Sequence, residues 1–159
     1  MRKIIIGVMG PGNASPTEAQ NAYDLGFLIA QNHWVLLTGG RNSGVMQGAS
    51  RGAKAANGLT VGILPTAHVD VAETVDLAIF TDMGSARNNI NVLSSNVVIA
   101  CGMGAGTASE VALAIKANKP VILLSNNQES QRFFTSLSAT RVFIAKTAVE
   151  AIAIIKDLI

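Results

Sequence analysis

Short apolar runs alternate along the chain with segments in which apolar residues recur at helical spacing. The runs are rich in valine and isoleucine and lack every-second-residue alternation, which predicts strands buried on both faces. Strands that alternate with helices are typical of βαβ units and a parallel sheet. The seven runs are 3–9, Val35–Thr38, Thr60–Leu64, Leu77–Phe80, Val97–Cys101, Val121–Leu124 and Val142–Ala145.

The segments between the runs carry helix signals. Ser15 is predicted as an N-cap, with Pro16 at the first helical position and Glu18 completing a capping box. The predicted inward face of this helix is Ala22, Leu25, Gly26 and Ile29. The same spacing predicts inward faces in two later helices: Ala108, Val111, Ala112 and Ile115 in one, and Ala148, Ala151, Ile152 and Ile155 in the last, about 147–159.

The chain has 159 residues, which is enough for one hydrophobic core and too few for two ordinary domains. Apolar residues make up 49% and charged residues 14%, a balance that suits a sheet covered by helices on both faces. We therefore predict a single α/β domain spanning residues 1–159. Its expected architecture is a Rossmann-like doubly wound fold, with a mainly parallel central sheet of about seven strands flanked by helices.

Charge and cysteine content narrow the function classes. The net charge is +2 with no like-charge run longer than Arg2-Lys3, which argues against a nucleic-acid partner. No stretch approaches the roughly 18 apolar residues of a membrane span, and the apolar run at 4–9 is too short for a signal peptide. Cys101 is the one cysteine, which favours a reducing compartment, so a cytoplasmic location is predicted. His33 and His68 lie far apart, so no metal site is expected.

Three strand-to-helix turns are rich in glycine. Ligands of open parallel sheets bind at such turns, outside the carboxyl ends of the strands. Glycine lets an anion approach the backbone, and the amides of the following helix N-terminus hold a phosphate. The pattern therefore predicts a phosphate-bearing ligand, although neither a Walker motif nor a dinucleotide fingerprint is present. The turn residues predicted to bind are Gly10, Gly12, Thr38, Gly39, Gly40, Arg41, Gly102, Gly104, Ala105, Gly106 and Thr107.

A polar segment in this apolar chain supplies further candidates. A helix starting near Ser85 would bring Arg87, Asn88 and Asn91 to the ligand, because Asn88 and Asn91 are three residues apart and share a face. The planar fork of Arg87 suits a phosphate. The alternatives are a helix end that faces water, or Arg87 paired with Asp82.

Three further positions each have two interpretations. Glu110 is placed in the first turn of its helix, where an acid also suits the helix dipole without any ligand. Arg41 is either an anion contact or a solvated loop residue. Cys101 lies at a strand end near the predicted site, and a buried inert thiol is the favoured interpretation.

The combined motifs resemble the Lonely Guy family, often mislabelled as lysine decarboxylases. The resemblance lies in Thr38-Gly39-Gly40, Gly44-Val45-Met46, Gly62-Ile63-Leu64-Pro65, Arg87 and the run from Gly104 to Glu110. Family members have a Rossmann-like fold and hydrolyse the N-glycosidic bond of cytokinin nucleoside monophosphates. This chain departs from their catalytic motifs, with Gly102-Met103-Gly104 in place of Pro-Gly-Gly and Arg87-Asn88 in place of Arg-Lys.

A second, closer resemblance is to the molybdenum cofactor carrier proteins of the same superfamily. It extends over the run 5–12, the run 36–41 and the block from 84 to 107, in which asparagine follows the arginine. It implies a non-catalytic homo-oligomer, a tetramer or dimer, that binds molybdopterin, protects it and delivers it to molybdenum-enzyme apoproteins. The cofactor carries a terminal phosphate, suited to the turn at 104–107, and a pterin, suited to asparagines.

Two other functions stay open at this point. A phosphoribohydrolase acting on nucleoside 5′-monophosphates would use Glu110 and Arg87 as its catalytic residues. A nucleotide-binding sensor would use the same turns without turnover. The ligand-binding set predicted for the carrier consists of the turn residues given above together with Ser85, Arg87, Asn88, Asn91 and Glu110.

Overall fold

A computed structural model describes residues 2–159. The strands are β1 (Ile5–Met9), β2 (Val35–Thr38), β3 (Thr60–Leu64), β4 (Leu77–Phe80), β5 (Val97–Cys101), β6 (Val121–Leu124) and β7 (Val142–Ala145). The helices are α1 (Pro16–Gln31), α2 (Gly44–Ala55), α3 (Arg87–Ser94), α4 (Ala105–Lys116), α5 (Gln128–Leu137) and α6 (Ala148–Leu158), with a 3₁₀ turn at Gly84–Ala86 before α3.

The seven strands form one sheet in the order β4-β3-β2-β1-β5-β6-β7. Every adjacent pair is parallel, which confirms the predicted doubly wound α/β class. β1 begins two residues later than predicted, because its pairing with β2 starts at Ile5 and Val35. The chain runs outward from β1 to β4 and then crosses to β5 on the other side of β1. The direction in which successive strands are added to the sheet therefore reverses between β1 and β5.

The helices cover both faces of the sheet. On one face α1, α2 and α6 pack against Ile6, Val8 and Ile99 in one buried cluster. On the other face α3, α4 and α5 pack against Met9, Val98 and Leu123. Successive residues of one strand point to opposite faces, so the central strands must be apolar throughout.

The start of α1 is capped as predicted. Ser15 Oγ accepts a hydrogen bond from the Glu18 amide, and the Glu18 carboxylate accepts one from the Ser15 amide. The predicted inward residues of α1 and of α6 are all buried. α1 also packs closely on α2, since Gly26 and Gly52 leave no side chain between the two backbones.

Two expectations about burial were wrong. All four residues of β4 are exposed, because β4 lies at the edge of the sheet and no helix of the described chain packs extensively on it. In α4 the buried residues are Thr107, Glu110, Val111 and Ala114, whereas Ala112 is exposed. Val111 is buried as predicted, and Ala108 and Ile115 pack partly buried against the core. The inward face of α4 is therefore wider than predicted, and of the four predicted residues it excludes Ala112. Within residues 2–159, no helix has the length and apolar character needed to span a bilayer.

Candidate anion-binding site

A cavity of about 280 Å³ opens at the carboxyl ends of β1, β2 and β5. It lies beside the point between β1 and β5 where the strand order reverses, which is where ligands of doubly wound sheets bind. Eleven predicted residues line it: Gly10, Gly12, Gly39, Arg41, Arg87, Asn88, Gly104, Ala105, Gly106, Thr107 and Glu110.

Five predicted residues lie outside the lining, namely Thr38, Gly40, Ser85, Asn91 and Gly102. Several of them shape the turns instead. Thr38 Oγ1 accepts a hydrogen bond from the Gly40 amide at 3.0 Å. Gly40 has a φ of +76° and packs against Gly62, which no side chain would permit. Ser85 is exposed in the 3₁₀ turn.

Three lining residues were missed from the sequence: Met9, Pro11 and Met46. Pro11 stands between two predicted glycines, so its position in the turn was an available signal. The two methionines gave no such signal, because an apolar residue at the end of a strand or helix looks the same in the sequence as a core residue.

The N-terminus of α4 opens directly into the cavity. Its N-cap is Gly104, which has no side chain, and no side chain caps the first turn. A Cβ built on Gly106 would meet nothing within 4 Å. The first amides of α4 therefore face open space with the positive end of the helix dipole behind them, which is the arrangement that binds anions.

α4 begins at Ala105, so Glu110 lies in the second turn rather than the predicted first turn. The dipole explanation for this acid is correspondingly weak, because the effect falls off within the first turn. Glu110 is buried, and its Oε1 accepts a hydrogen bond from Asn91 Nδ2 at 2.9 Å. Burial raises the pKa of Glu110 to about 7, although Asn91 and Arg87 both act to lower it.

Arg87 is the first residue of α3 and reaches across the cavity toward Gly39. A Cβ on Gly39 would lie 2.8 Å from Arg87 Nη1, so glycine makes room for the guanidinium. Burial lowers the pKa of Arg87, and the Glu110 carboxylate partly counteracts this. Arg87 Nε is buried and has no hydrogen-bond partner. The pairing with Asp82 does not form, since Lys54–Asp76 is the one salt bridge within residues 2–159.

The two asparagines tie α3 to α4. Asn88 Nδ2 donates to Ser109 Oγ at 2.9 Å, at the wall of the cavity. Ser109 Oγ in turn donates to the Gly106 carbonyl, so its proton is already used. Asn91 is fully buried beneath the cavity, where it holds Glu110.

Arg41 stands on a loop held by a distant segment. The Asn42 amide donates to the Asp70 carbonyl at 2.9 Å, and the Ala72 amide donates to the Gly40 carbonyl at 3.0 Å. An isolated antiparallel bridge joins Arg41 to Val71. These contacts fix the backbone of Arg41 while its side chain lines the cavity.

Cys101 is fully buried at the end of β5, as favoured from the sequence. Burial raises the pKa of its thiol to about 12, with the nearby Glu18 adding to the effect. The thiol therefore stays protonated at neutral pH and is inert.

The fold and the cavity together define a class of protein. It is a doubly wound α/β protein in which helix-terminal amides and arginines surround a cavity, and this cavity lies where the order of the strands reverses. The model of the SLOG cluster4 family matches residues 3–153. The chain therefore belongs to the SLOG cluster4 family.

Individual proteins that resemble the chain identify its relatives within this family more specifically. The molybdenum cofactor binding protein from the phototrophic bacterium Rippkaea orientalis is 61% identical, with a TM-score of 0.97 over 99% of this chain and 98% of that one. The Moco carrier protein from Chlamydomonas reinhardtii is 52% identical, with a TM-score of 0.93 over the same shares. An uncharacterized protein from Archaeoglobus fulgidus is 44% identical over 124 residues, 78% of this chain and 82% of its own length. These similarities confirm the resemblance to molybdenum cofactor carriers predicted from the sequence.

Proposed function

We propose that this protein binds the molybdenum cofactor, protects it and delivers it to molybdenum-enzyme apoproteins without catalysing a reaction. One observation carries the proposal. An α4 N-terminus without a side-chain cap and the Arg87 guanidinium face the same small cavity, in a chain 61% identical to a molybdenum cofactor binding protein.

The residues present fit the phosphate end of the cofactor. Amides of Ala105, Gly106 and Thr107 supply main-chain donors, and Arg87 supplies a planar charged fork from the other side. The unpartnered Arg87 Nε is a buried donor, and such a donor is costly unless a further group accepts from it. A phosphate oxygen is an acceptor of the right charge.

The volume of the cavity bears on how the rest of the cofactor lies. About 280 Å³ is just below the range of roughly 300 to 1,000 Å³ that encloses a small-molecule ligand. We therefore place the phosphate inside and the pterin toward the rim, near Arg41 and Gly12. Asn88 lines the wall between them and offers its free amide oxygen to pterin donors.

Cofactor retention tests this function. Purified protein is loaded with the released cofactor, freed of excess by gel filtration, and assayed by reconstitution of apo-nitrate reductase over time. We expect the protein to retain the cofactor and to slow its loss of activity. Arg87→Ala should abolish retention, whereas Arg51→Ala, on the exposed side of α2, should retain it fully. Equal decay with and without the wild-type protein would refute the carrier function.

A second candidate function is hydrolysis of nucleoside 5′-monophosphates. It is favoured by Glu110, a buried acid with a pKa of about 7 that lines the cavity together with Arg87. Incubation with AMP or a cytokinin monophosphate, followed by chromatography for the free base, tests it. Release of base by the wild type that Glu110→Ala abolishes would establish hydrolysis. If no base is released, the carrier function is the candidate that remains.

We further propose that the protein is a homo-oligomer, a dimer or tetramer, in the cytoplasm. Leu77, Ile79 and Phe80 on β4 and Met83 just after it are each about half exposed, and such clustered apolar residues are typical of contact surfaces. Light scattering coupled to gel filtration should give the mass of at least a dimer. Phe80→Lys should lower that mass, while Gln20→Lys on α1 should not.

A further inference from the structure

Arg87 and the ionised form of Glu110 carry opposite charges, and both residues line the same small cavity, yet they form no salt bridge. Arg87 Nε is buried without a partner. The Glu110 carboxylate accepts a hydrogen bond from Asn91 Nδ2 instead, at 2.9 Å. Two groups that could neutralise each other are therefore held apart.

This separation needs a cause, because a guanidinium and a carboxylate readily form a paired, two-bond contact. Their attraction is also stronger in a partly buried cavity than in water. Asn91 is the residue placed to oppose it. It lies one helical turn after Arg87 on α3, and its side chain is fully buried. The main-chain carbonyl oxygen of Asn91 accepts a hydrogen bond from Ser95 Oγ, which further fixes the backbone at this position.

We propose that Asn91 is a positioning residue that keeps the Glu110 carboxylate from closing on Arg87, so that the guanidinium charge stays available for the phosphate of the ligand. This inference rests on the proposed binding function. It gives Asn91 a role without ligand contact, in place of the direct contact predicted from the sequence. It also explains how an acid is accommodated in a cavity built for an anion.

The inference predicts a loss that a second mutation reverses. Without Asn91, the Glu110 carboxylate is free to pair with Arg87 and cancel the charge that attracts phosphate. Replacing Glu110 by glutamine in the same chain removes the competing carboxylate, so Arg87 becomes available again. A merely structural role for Asn91 predicts that the second substitution rescues nothing.

Phosphate titration monitors this directly. Uniformly ¹⁵N-labelled protein is titrated with inorganic phosphate at pH 8, where Glu110 is ionised, and the amide signals of Gly106 and Thr107 are followed. Asn91→Ala should weaken binding about tenfold, which is about 1.4 kcal/mol. Asn91→Ala with Glu110→Gln should bind within about twofold of Glu110→Gln alone, since the interaction to be blocked is then absent. Asn89→Ala, an exposed position on the same helix, should bind like the wild type.

A measurement without ligand tests the inference independently, through the direction in which the pKa of Glu110 changes. The Glu110 side chain is titrated by ¹³C NMR in the wild type and in Asn91→Ala. If the carboxylate moves onto Arg87, its pKa falls in the variant, because the cation favours the charged form. If the carboxylate stays in place, its pKa rises, because the Asn91 hydrogen bond that lowers it is gone. A rise would overturn the inference. Should Asn91→Ala fail to fold, Asn91→Ser leaves a smaller void and still cannot reach Glu110.

The outcomes separate this inference from the function on which it rests. A wild-type protein that binds no phosphate would overturn the inference about Asn91, whereas the carrier function itself is refuted by the failure of the loaded protein to retain the cofactor. Phosphate binding by the wild type with equal affinity in Asn91→Ala would overturn only the role of Asn91. Weaker binding in Asn91→Ala that Glu110→Gln does not rescue would likewise reduce Asn91 to a packing residue.

Discussion

Gly52 of α2 faces the carbonyl oxygen of Tyr23 in α1 so closely that a Cβ on Gly52 would lie 1.9 Å from that oxygen. Gly26 stands in the same relation to the Ala49 carbonyl oxygen. The two helices therefore meet backbone to backbone, and each contributes one glycine. This contact places α2, and with it the turn that carries Arg41, against the rest of the fold.

Gly52→Ala should destabilise the protein by about 2–4 kcal/mol, because the helices must separate to admit the methyl group and backbone atoms cannot yield as side chains do. Urea unfolding followed by circular dichroism measures this free energy. Arg51→Ala, its exposed neighbour, should change it by less than about 0.5 kcal/mol. Equal effects of the two substitutions would mean that the close helix contact is unimportant.

Gly39→Ala should weaken phosphate binding while changing stability little. The added Cβ would lie 2.8 Å from both Arg87 Nη1 and Met46 Sδ, which are the far ends of flexible side chains. The guanidinium is therefore displaced from the cavity without disturbing the backbone. We expect affinity for inorganic phosphate, measured by the amide signals of Gly106 and Thr107, to fall about fivefold to twentyfold. Unchanged affinity would place the anion away from Arg87.

Gly106→Ala should separate folding from binding. Apart from its chain neighbours and the backbone of its own helix, nothing in the described chain lies within 4 Å of a Cβ at this position, so the protein itself tolerates alanine there. Because alanine is the better helix former, the free energy of unfolding should rise by up to about 1 kcal/mol. Retention of the cofactor should nevertheless fall, since the methyl group enters the space in front of the α4 amides. Full retention would mean that the ligand does not approach these amides.

The buried Glu110 should make stability fall between pH 4.5 and about 7. Its pKa is raised in the folded protein, so the folded chain binds more protons than the unfolded chain in this range. By linkage, the free energy of unfolding then decreases as pH rises, by on the order of 2–3 kcal/mol for this group. Urea unfolding at pH 5 and pH 8 measures the difference. Glu110→Gln should remove most of the decrease, and an unchanged slope would place the titration elsewhere.

The seven strands were predictable because Val- and Ile-rich runs bounded by turn residues leave few alternatives. The α1 start was equally clear from Ser15, Pro16 and Glu18, since a capping box is a local device. The exposure of β4 was not, because Leu77–Phe80 is as apolar as a central strand. An apolar run indicates that a strand can be buried, but it does not indicate whether that strand lies in the centre or at the edge of the sheet.

The candidate site was predictable at its glycine turns and less so at its asparagines. Gly104, Gly106 and Arg87 line the cavity because strand-to-helix turns converge at one edge of a parallel sheet. The pairing of Asn88 with Ser109 and of Asn91 with Glu110 depends on how α3 packs on α4. That packing joins residues about twenty positions apart, and no local pattern encodes it.

The hydrogen bonds that join Gly40 and Asn42 to the segment at 70–72 make two remote stretches of chain respond together. A ligand that reduces the motion of Arg41 should therefore also reduce the motion of the segment at 70–72, which is hydrogen-bonded to its neighbours. The amide protons of Asn42 and Ala72 should consequently exchange with deuterated solvent more slowly in the loaded protein than in the free one. Occupancy of the cavity thus becomes readable at amides that never touch the ligand.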